Sequence, residues 1–311
     1  MTTAGGDGDR VLWTDVAPRD GLQSWSGGMV APEIKVRLIQ GLLDAGAPRV
    51  EATALVSSRA VPQMADAAEV LTALGQEPLP RLRVLIPNLR GLERALEHGL
   101  GNVVVTVGAT ESFNRRNVNR SVQQSLDEIG KIAELARPAG CRVDVALSVS
   151  FGCPYEGWVD PDRVAKLCGR LLELGADEIG VADTIGVATP TGVADLLHRV
   201  RRLVPGPRLS CHFHDTRGLG VANVLAAFAA GVRRFDGSAG GIGGCPFAPR
   251  STGNVCSEDA LLGLTAQGAR IDADLRAYCA VSARLAEDLG VAELPGRLYR
   301  AGLWDPDLSA T

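Results

Sequence analysis

Residues 178–213 read EIGVADTIGVATPTGVADLLHRVRRLVPGPRLSCHF and contain the unit that decides the fold. The two ends of this stretch, residues 178–182 and 208–213, are short apolar runs with the length of buried strands. Between them, residues 191–203 place apolar side chains at helical spacing. Because parallel strands must be joined by a crossover of a dozen or more residues, the unit predicts a parallel sheet covered by helices.

The same alternation of strand and helix recurs along the chain. Eight candidate strands spaced roughly thirty residues apart fit a closed barrel better than an open sheet. The predicted fold class is therefore α/β, a (β/α)8 TIM barrel with a C-terminal helical extension. The predicted strands are residues 11–16, 49–53, 82–86, 102–107, 142–149, 178–182, 208–213 and 234–238, and the predicted helices are residues 32–45, 63–74, 89–98, 122–137, 161–174, 191–203 and 219–230.

The two ends of the chain differ from this repeating part. Residues 1–10 are rich in Gly and Asp, which predicts a disordered tail, and residues 11–270 form the predicted TIM-barrel catalytic domain. We expect residues 271–311 to form a helical extension packed on the barrel, with one helix over residues 273–289 and a Pro-rich tail. No chemistry is assigned to this extension.

Composition excludes several classes of function. The net charge of the 311-residue chain is only −4 and its basic residues are scattered, which argues against a nucleic-acid partner. No run of about 18 apolar residues occurs, so no membrane partner is expected. The seven Cys residues form no CxxC pair, which argues against a structural zinc site and for a reducing compartment. We therefore expect a cytoplasmic protein, and a small anionic substrate remains compatible with its charge.

Polar side chains follow the predicted strands at the barrel end that carries the active site in this fold. The first strand leads into a turn with Arg19, Asp20 and Gln23, which alone is as compatible with a salt-bridged turn as with a site. The seventh strand ends with His212 and His214, which the period of two places on one face. A His pair of this kind favours a metal site. Asp215, which follows, is interpreted as a helix N-cap.

A Gly-rich stretch after the eighth strand carries one reactive side chain, Cys245, between flexible Gly and rigid Pro. A single Cys is more often an inert small hydrophobic residue, but this position favours an acid/base thiol. Glu51, Ser148 and Asp183 end other strands, and each alone is compatible with a cap or a loop contact. Their convergence is what predicts a single pocket. That pocket contains Arg19, Asp20, Glu51, Ser148, Asp183, His212, His214 and Cys245.

These side chains predict metal-assisted cleavage of a carbon–carbon bond. A carboxylate and two imidazoles with open positions suit Mg²⁺ or Mn²⁺, with Zn²⁺ or Co²⁺ as substitutes. Such an ion chelates vicinal oxygens and polarises a carbonyl. Arg19 offers a planar cation for a developing enolate, and Cys245 offers a group that moves a proton. This equipment suits a retro-aldol or retro-Claisen reaction.

Six sequence blocks in this order resemble the 3-hydroxy-3-methylglutaryl-CoA lyase family of the DRE-TIM metallolyase superfamily. The resemblance covers about residues 11–267. The blocks are PRDGLQ (18–23), EAT (51–53) with VPQMAD (61–66), GCPYEG (152–157), DTIG (183–186), HFHDT (212–216), and GGIGGCP (240–246) with GN (253–254).

The resemblance implies a metal-dependent TIM-barrel lyase that splits hydroxymethylglutaryl-CoA into acetyl-CoA and acetoacetate. It implies that Asp20, His212, His214 and Asn254 bind the metal, and Asn254 enters only in this way. It also implies that Arg19 stabilises the enolate of acetyl-CoA and that Cys245 transfers a proton. Further implied roles complete the expectation. Glu51 and Asp183 are implied to support the site and, with Asp20 and His212, belong to the expected catalytic set. We also expect that Arg19, Gln23 and Ser148 bind the acyl-CoA thioester substrate and that the chain forms a homo-oligomer, a dimer.

The sequence departs from the family pattern in segments expected to line the mouth and the acyl pocket. Ser24-Trp25 follows Gln23 where the family has Asn-Glu, residues 53–59 read TALVSSR, and Arg250 stands where the family tends to have Gly. The acyl group is therefore left open between hydroxymethylglutaryl-CoA and a related 3-hydroxyacyl-CoA. Two other functions stay as alternatives: a Claisen-type synthase or aldolase of the same superfamily acting on a 2-oxoacid, and a non-catalytic acyl-CoA-binding or scaffold barrel.

Overall fold

Eight parallel strands close into a barrel in the computed structural model, which describes residues 9–244 and 253–304. The barrel closes because the first strand pairs with both the second and the last. All eight predicted strands are found, with ends that differ by at most one residue from the prediction. The barrel strands are β1 (Leu12–Asp15), β2 (Arg49–Ala54), β3 (Leu82–Leu85), β4 (Asn102–Gly108), β5 (Arg142–Ser148), β8 (Glu178–Asp183), β9 (Leu209–Phe213) and β10 (Arg234–Gly237).

A small antiparallel hairpin, β6 (Gly152–Cys153) and β7 (Gly157–Trp158), follows β5 outside the barrel. Helices surround the barrel, and the seven predicted ones are all present. They are α1 (Pro32–Asp44), α2 (Ala67–Leu74), α3 (Leu89–Glu97), α5 (Val122–Ala136), α6 (Pro161–Glu173), α7 (Pro190–Val200) and α8 (Gly220–Ala229).

Three further helices lie outside the predictions: α4 (Glu111–Val118), α9 (Ser257–Ala266) and α11 (Leu298–Ala301). Helix α4 reads ESFNRRNV, so it has almost no apolar face to reveal its period. The predicted helix over residues 63–74 begins later, at Ala67, after a 3-10 turn. None of the helices in the described ranges is both long enough and apolar enough to cross a membrane.

The predicted C-terminal helix is α10 (Leu275–Asp288), which packs against α1 and α9. A Cβ at Gly41 on α1 would lie only 3.1 Å from Val281, which shows how close the two helices come. Arg37 of α1 and Asp288 of α10 form an ion pair of 3.0 Å. A boundary between domains at residue 270 stays a prediction.

The lower part of the barrel interior holds charged residues in place of the branched apolar layers usual in this fold. The guanidinium of Arg49 pairs with Asp144 at 2.8 Å and with Glu178 at 2.9 Å, and all three side chains are buried. Asp144 also lies 3.7 Å from Arg83. Removing one partner from a buried pair of this kind typically costs about 3–5 kcal/mol, so these strands are tied together by ionic contacts across the interior.

Candidate active site

The turn after β1 is a π-helical turn, Ala17–Gly21, a form that is rare in proteins and frequent at functional sites. The amide of Gly21 donates to the carbonyl of Val16 at 3.1 Å. A Cβ at Gly21 would lie 2.7 Å from Ile242, so only glycine fits this close approach. Arg19 and Asp20 thereby stand side by side at the upper end of the barrel, and their guanidinium and carboxylate are 2.5 Å apart.

His212 and His214 at the end of β9 lie beside Asp20, as the sequence predicts. One carboxylate oxygen of Asp20 is 3.8 Å from the Nε2 atom of each imidazole. The three prospective ligand atoms all lie within 4.8 Å of one another. This spacing lets one cation contact all three side chains, so the group fits a divalent metal site.

Asn254 reaches the same place from the far end of the chain. Residues on either side of it pair with the end of β9, since Asp215 N donates to Gly253 O at 3.1 Å and Val255 N donates to Phe213 O at 2.9 Å. The side-chain amide of Asn254 donates to Ile242 O at 3.2 Å, which leaves its oxygen free.

The hydrogen bonding of two side-chain oxygens indicates whether a metal ion fits between these residues. Asp20 Oδ2 and Asn254 Oδ1 are both buried and have no hydrogen-bond partner among the described residues. Buried oxygens without partners are costly, and a hard cation between them would satisfy both. Asn254, which entered only through the family resemblance, is therefore well placed as a fourth ligand.

The protonation states of Asp20 and His214 suit metal ligands, whereas His212 must give up the proton that its neighbouring carboxylates favour before it can ligate a metal. Burial opposes the charge on Asp20, but Arg19 and the two imidazoles outweigh it and lower the pKa to about 2. Burial, with His212 nearby, lowers the pKa of His214 to about 4, so its imidazole is neutral at neutral pH. Burial alone would lower the pKa of His212, yet the carboxylates of Asp236 and Asp20 raise it.

A chain of alternating charges runs beneath the prospective ligands. Arg19 donates to one oxygen of Glu51, and Arg83 donates to the other at 2.7 Å. Arg83 also pairs with Asp236 at 3.0 Å. Asp236 in turn lies 3.7 Å from His212 Nδ1. Together with Asp20, these side chains form a closed ring of ion pairs and hydrogen bonds. Glu51 is fully buried with both oxygens engaged by guanidinium groups, so it orients Arg19.

Sequence reasoning did not identify Arg83 and Asp236. Arg83 is the one charged residue of β3, LRVL, whereas Asp236 shares β10, RFDG, with Arg234. For Arg83, a charged residue inside an apolar strand is the available signal, because such a residue is rarely buried without a partner.

A cavity of about 440 Å³ lies beside the prospective ligands. The remaining predicted residues that the structure describes either line this cavity or lie behind its wall. Gln23 and Ser148 line it, beside Arg19 and the imidazoles. Asp183 does not line it, because its two oxygens accept hydrogen bonds of 2.9 Å from the amides of Val187 and Ala188 in the loop after β8. A supporting role for Asp183 stays a prediction. Cys245 lies outside the described residues.

Two further predictions concern single residues near the site. Asp215 is not the N-cap residue of α8, which is Leu219, but its carboxylate accepts a 2.6 Å hydrogen bond from the amide of Gly220, the first residue of that helix. Trp25 was expected at the pocket mouth, but its ring lies over Gly27 and does not line the cavity. The loop is held there by Gln63, whose amide donates to the carbonyls of Trp25 and Gly28. Arg250 lies outside the described residues.

Backbone strain occurs next to Ser148, one of the residues that line the cavity. Val149, directly after Ser148, has φ of 53°, a left-handed conformation that a β-branched residue rarely adopts. Its amide donates to Thr184 Oγ1 at 2.8 Å. Strain of this kind persists only where the surroundings fix it, and it clusters at functional sites.

Comparison with known proteins places this geometry in a family. The family model described as HMGL-like matches residues 10–285. The chain is 40% identical to the (R)-citramalyl-CoA lyase of Chloroflexus aurantiacus over 94% of this chain and 95% of that one. It is 41% identical to the hydroxymethylglutaryl-CoA lyase of Pseudomonas mevalonii over 93% of this chain and 94% of that one.

A solved structure agrees with both sequences. An HMG-CoA lyase from Acinetobacter baumannii, in complex with coenzyme A and 3-methylmalate, superposes with a TM-score of 0.90 at 36% identity, covering 96% of this chain and 97% of that one. The barrel, the Asp20–His212–His214 group and these full-length matches agree. The chain therefore belongs to the HMGL-like family and is a carbon–carbon lyase of the hydroxymethylglutaryl-CoA lyase kind.

Proposed function

We propose that the protein cleaves 3-hydroxy-3-methylglutaryl-CoA to acetyl-CoA and acetoacetate with the help of a divalent metal ion. The observation that carries this proposal is the group of Asp20, His212 and His214, within reach of one cation and beside Arg19. Mg²⁺ or Mn²⁺ suits a set of two oxygens, from Asp20 and Asn254, and two imidazole nitrogens with further positions open, with Zn²⁺ or Co²⁺ as substitutes. When bound, such an ion supplies Lewis-acid polarisation of substrate oxygens.

The reaction breaks the bond between C2 and C3 of the acyl group. The 3-hydroxyl gives its proton to the ionised carboxylate of Asp20, whose Oδ2 has no other hydrogen-bond partner among the described residues, and C3 becomes the ketone of acetoacetate. The electron pair of the broken bond passes to C2 and gives the enolate of acetyl-CoA. Arg19, held by Glu51, stabilises the enolate oxygen. Cys245 returns a proton to C2.

Gln23 and Ser148 are proposed to position the acyl-CoA thioester, since both line the cavity next to Arg19. Asp183 is proposed to act through the loop that it organises. We also propose that the protein works in the cytoplasm as a homodimer.

Assays with two thioesters test the proposal. Incubation with hydroxymethylglutaryl-CoA and Mg²⁺ is expected to release acetoacetate, and His212→Ala provides the inactive control. Cleavage of citramalyl-CoA alone, detected as pyruvate, would assign the chain to the other activity named among its relatives. Turnover only of acetyl-CoA with a 2-oxoacid would indicate a synthase, and thioester binding without turnover would indicate a scaffold barrel.

A further inference from the structure

Asp15, the last residue of β1, is a fully buried carboxylate that the proposed reaction does not use. Its Oδ1 atom accepts a hydrogen bond of 2.9 Å from the amide of Ala17 and one of 3.4 Å from the amide of Ala239. Its Oδ2 atom accepts a hydrogen bond of 2.6 Å from the hydroxyl of Ser257. One carboxylate therefore contacts three segments of the chain, two of which lie more than 220 residues away in the sequence.

Two of these contacts lead directly to prospective metal ligands. Ala17 is the first residue of the π-helical turn that carries Asp20. Ser257 is the first residue of α9 and follows Asn254 by three residues. One cation can contact Asp20 and Asn254 together only if their oxygens lie at a suitable distance from each other. Asp15 connects the two segments that set this distance.

The connection is held firmly at Ser257. The hydroxyl of Ser257 accepts a hydrogen bond of 3.0 Å from the indole of Trp13, which lies on the same face of β1 as Asp15. The amide of Ser257 donates to Ser238 O at 2.9 Å. All four of these residues are buried. Because buried hydrogen bonds are costly to leave unmade, the start of α9 has little freedom to move relative to β1.

The role of Asp15 does not require a full negative charge. Burial raises the pKa of Asp15 to about 7, so the carboxyl group is partly protonated at neutral pH. In either form it offers an oxygen to the amide of Ala17 and a second hydrogen-bonding group to Ser257. The side-chain amide of an Asn offers the same two groups.

On the basis of the proposed function, we propose that Asp15 is a positioning residue, which fixes Asp20 and Asn254 relative to each other and so shapes the metal site before an ion binds. Asp15 does not line the cavity next to the ligands. Its removal therefore takes away no ligand and acts only through the placement of the turn and of the segment before α9.

The test compares Asp15→Ala and Asp15→Asn with the unaltered protein. For Asp15→Ala we expect a Mn²⁺ affinity about tenfold lower, measured by electron paramagnetic resonance without substrate. Hydrogen exchange of the amides of residues 17–21, measured by mass spectrometry on the metal-free protein, should be faster. Asp15→Asn should keep both values close to those of the unaltered protein.

The control is Leu171→Ala, which removes a fully buried side chain near the C-terminal end of α6, remote from the upper end of the barrel. This variant is expected to be less stable because of the cavity it leaves, with an unchanged Mn²⁺ affinity. Should Asp15→Ala fail to fold, Ser257→Ala breaks the same connection from its other side and should lower the Mn²⁺ affinity in the same direction.

The outcomes separate this inference from the proposed function. An unchanged Mn²⁺ affinity in Asp15→Ala overturns the inference and leaves Asp15 a purely structural role. An equal loss of affinity in Leu171→Ala also overturns it, because general loosening of the fold then explains the effect. If the unaltered protein binds Mn²⁺ but does not cleave hydroxymethylglutaryl-CoA, the proposed function fails while the affinities still decide the role of Asp15. If the unaltered protein binds no Mn²⁺, both fail.

Discussion

The guanidinium of Arg83 and the carboxylate of Asp236 form a buried ion pair of 3.0 Å across the barrel interior. Through Glu51 on one side and His212 on the other, this pair connects Arg19, which is proposed to stabilise the enolate, with a prospective metal ligand. The ion pair between Arg83 and Asp236 therefore helps to position both Arg19 and the prospective metal ligands.

Replacing Arg83 by Met should weaken metal binding and catalysis together. We expect Mn²⁺ affinity and kcat each to fall about 10- to 100-fold, because Glu51 and Asp236 lose the cation that holds them in place. Electron paramagnetic resonance of bound Mn²⁺ gives the affinity, and steady-state kinetics give kcat apart from KM. Arg83→Lys keeps the charge and should restore part of both. A variant that folds stably with unchanged affinity and kcat would contradict the role of this ion pair.

Replacing Asp20 by Ala should abolish metal binding and activity while the fold is kept. Asp20 lies on the π-helical turn at the upper end of the barrel and pairs with Arg19, so its loss removes a ligand and one partner of Arg19 but no apolar side chain of the core. Calorimetric titration with Mn²⁺ measures the binding, and circular dichroism reports the fold. Asp195→Ala on the exposed face of α7 is the matched control. Normal turnover in Asp20→Ala would exclude the metal site.

Replacing Cys245 by Ala should lower turnover while Mn²⁺ still binds. The thiol is assigned to proton transfer and not to the ligand set, so kcat falls and the metal affinity stays the same. Cys279→Ala on α10 removes a thiol from a helix outside the site and should behave like the unaltered protein. Equal kcat values for both variants would return Cys245 to the role of a small hydrophobic residue.

Asp15 makes stability depend on pH. Burial raises its pKa from 3.8 to about 7, although Ser257 and the amides of Ala17 and Ala239 donate to it. Between these two values the unfolded chain releases the proton that the folded chain keeps, so stability falls as pH rises towards 7. In Asp15→Asn, the amide can serve the same partners without titrating. Urea unfolding at pH 5 and pH 8 should show a smaller loss of stability for Asp15→Asn than for the unaltered protein. Equal losses would contradict this assignment.

The fold was predictable because its signals are local. Each strand and each amphipathic helix shows its own period within a few residues, and the period of two on β9 is sufficient to place His212 and His214 on one face. Helix α4 was missed for the same reason, since its eight residues hold almost no apolar side chains.

The support beneath the site was not predictable in this way. Arg83 on β3 and Asp236 on β10 meet only because the barrel closes and brings distant strands to face each other across its interior. The direction of the Asp183 carboxylate depends on how the following loop turns back over it. Asn254 reaches His214 through backbone pairing between segments about forty residues apart, which no local pattern records.

The backbone pairing at Asn254 also links the site to completion of the fold. Asp20 stands near the start of the chain, whereas Asn254 follows the last barrel strand in sequence and pairs with the chain at the end of β9. A cation bound by both is bound tightly by the closed barrel and not by chains that are still open. By mass action, such a cation raises the free energy of unfolding as its concentration rises. The concentration of the free metal ion would then determine the resistance of this enzyme to proteolysis as well as its rate of catalysis.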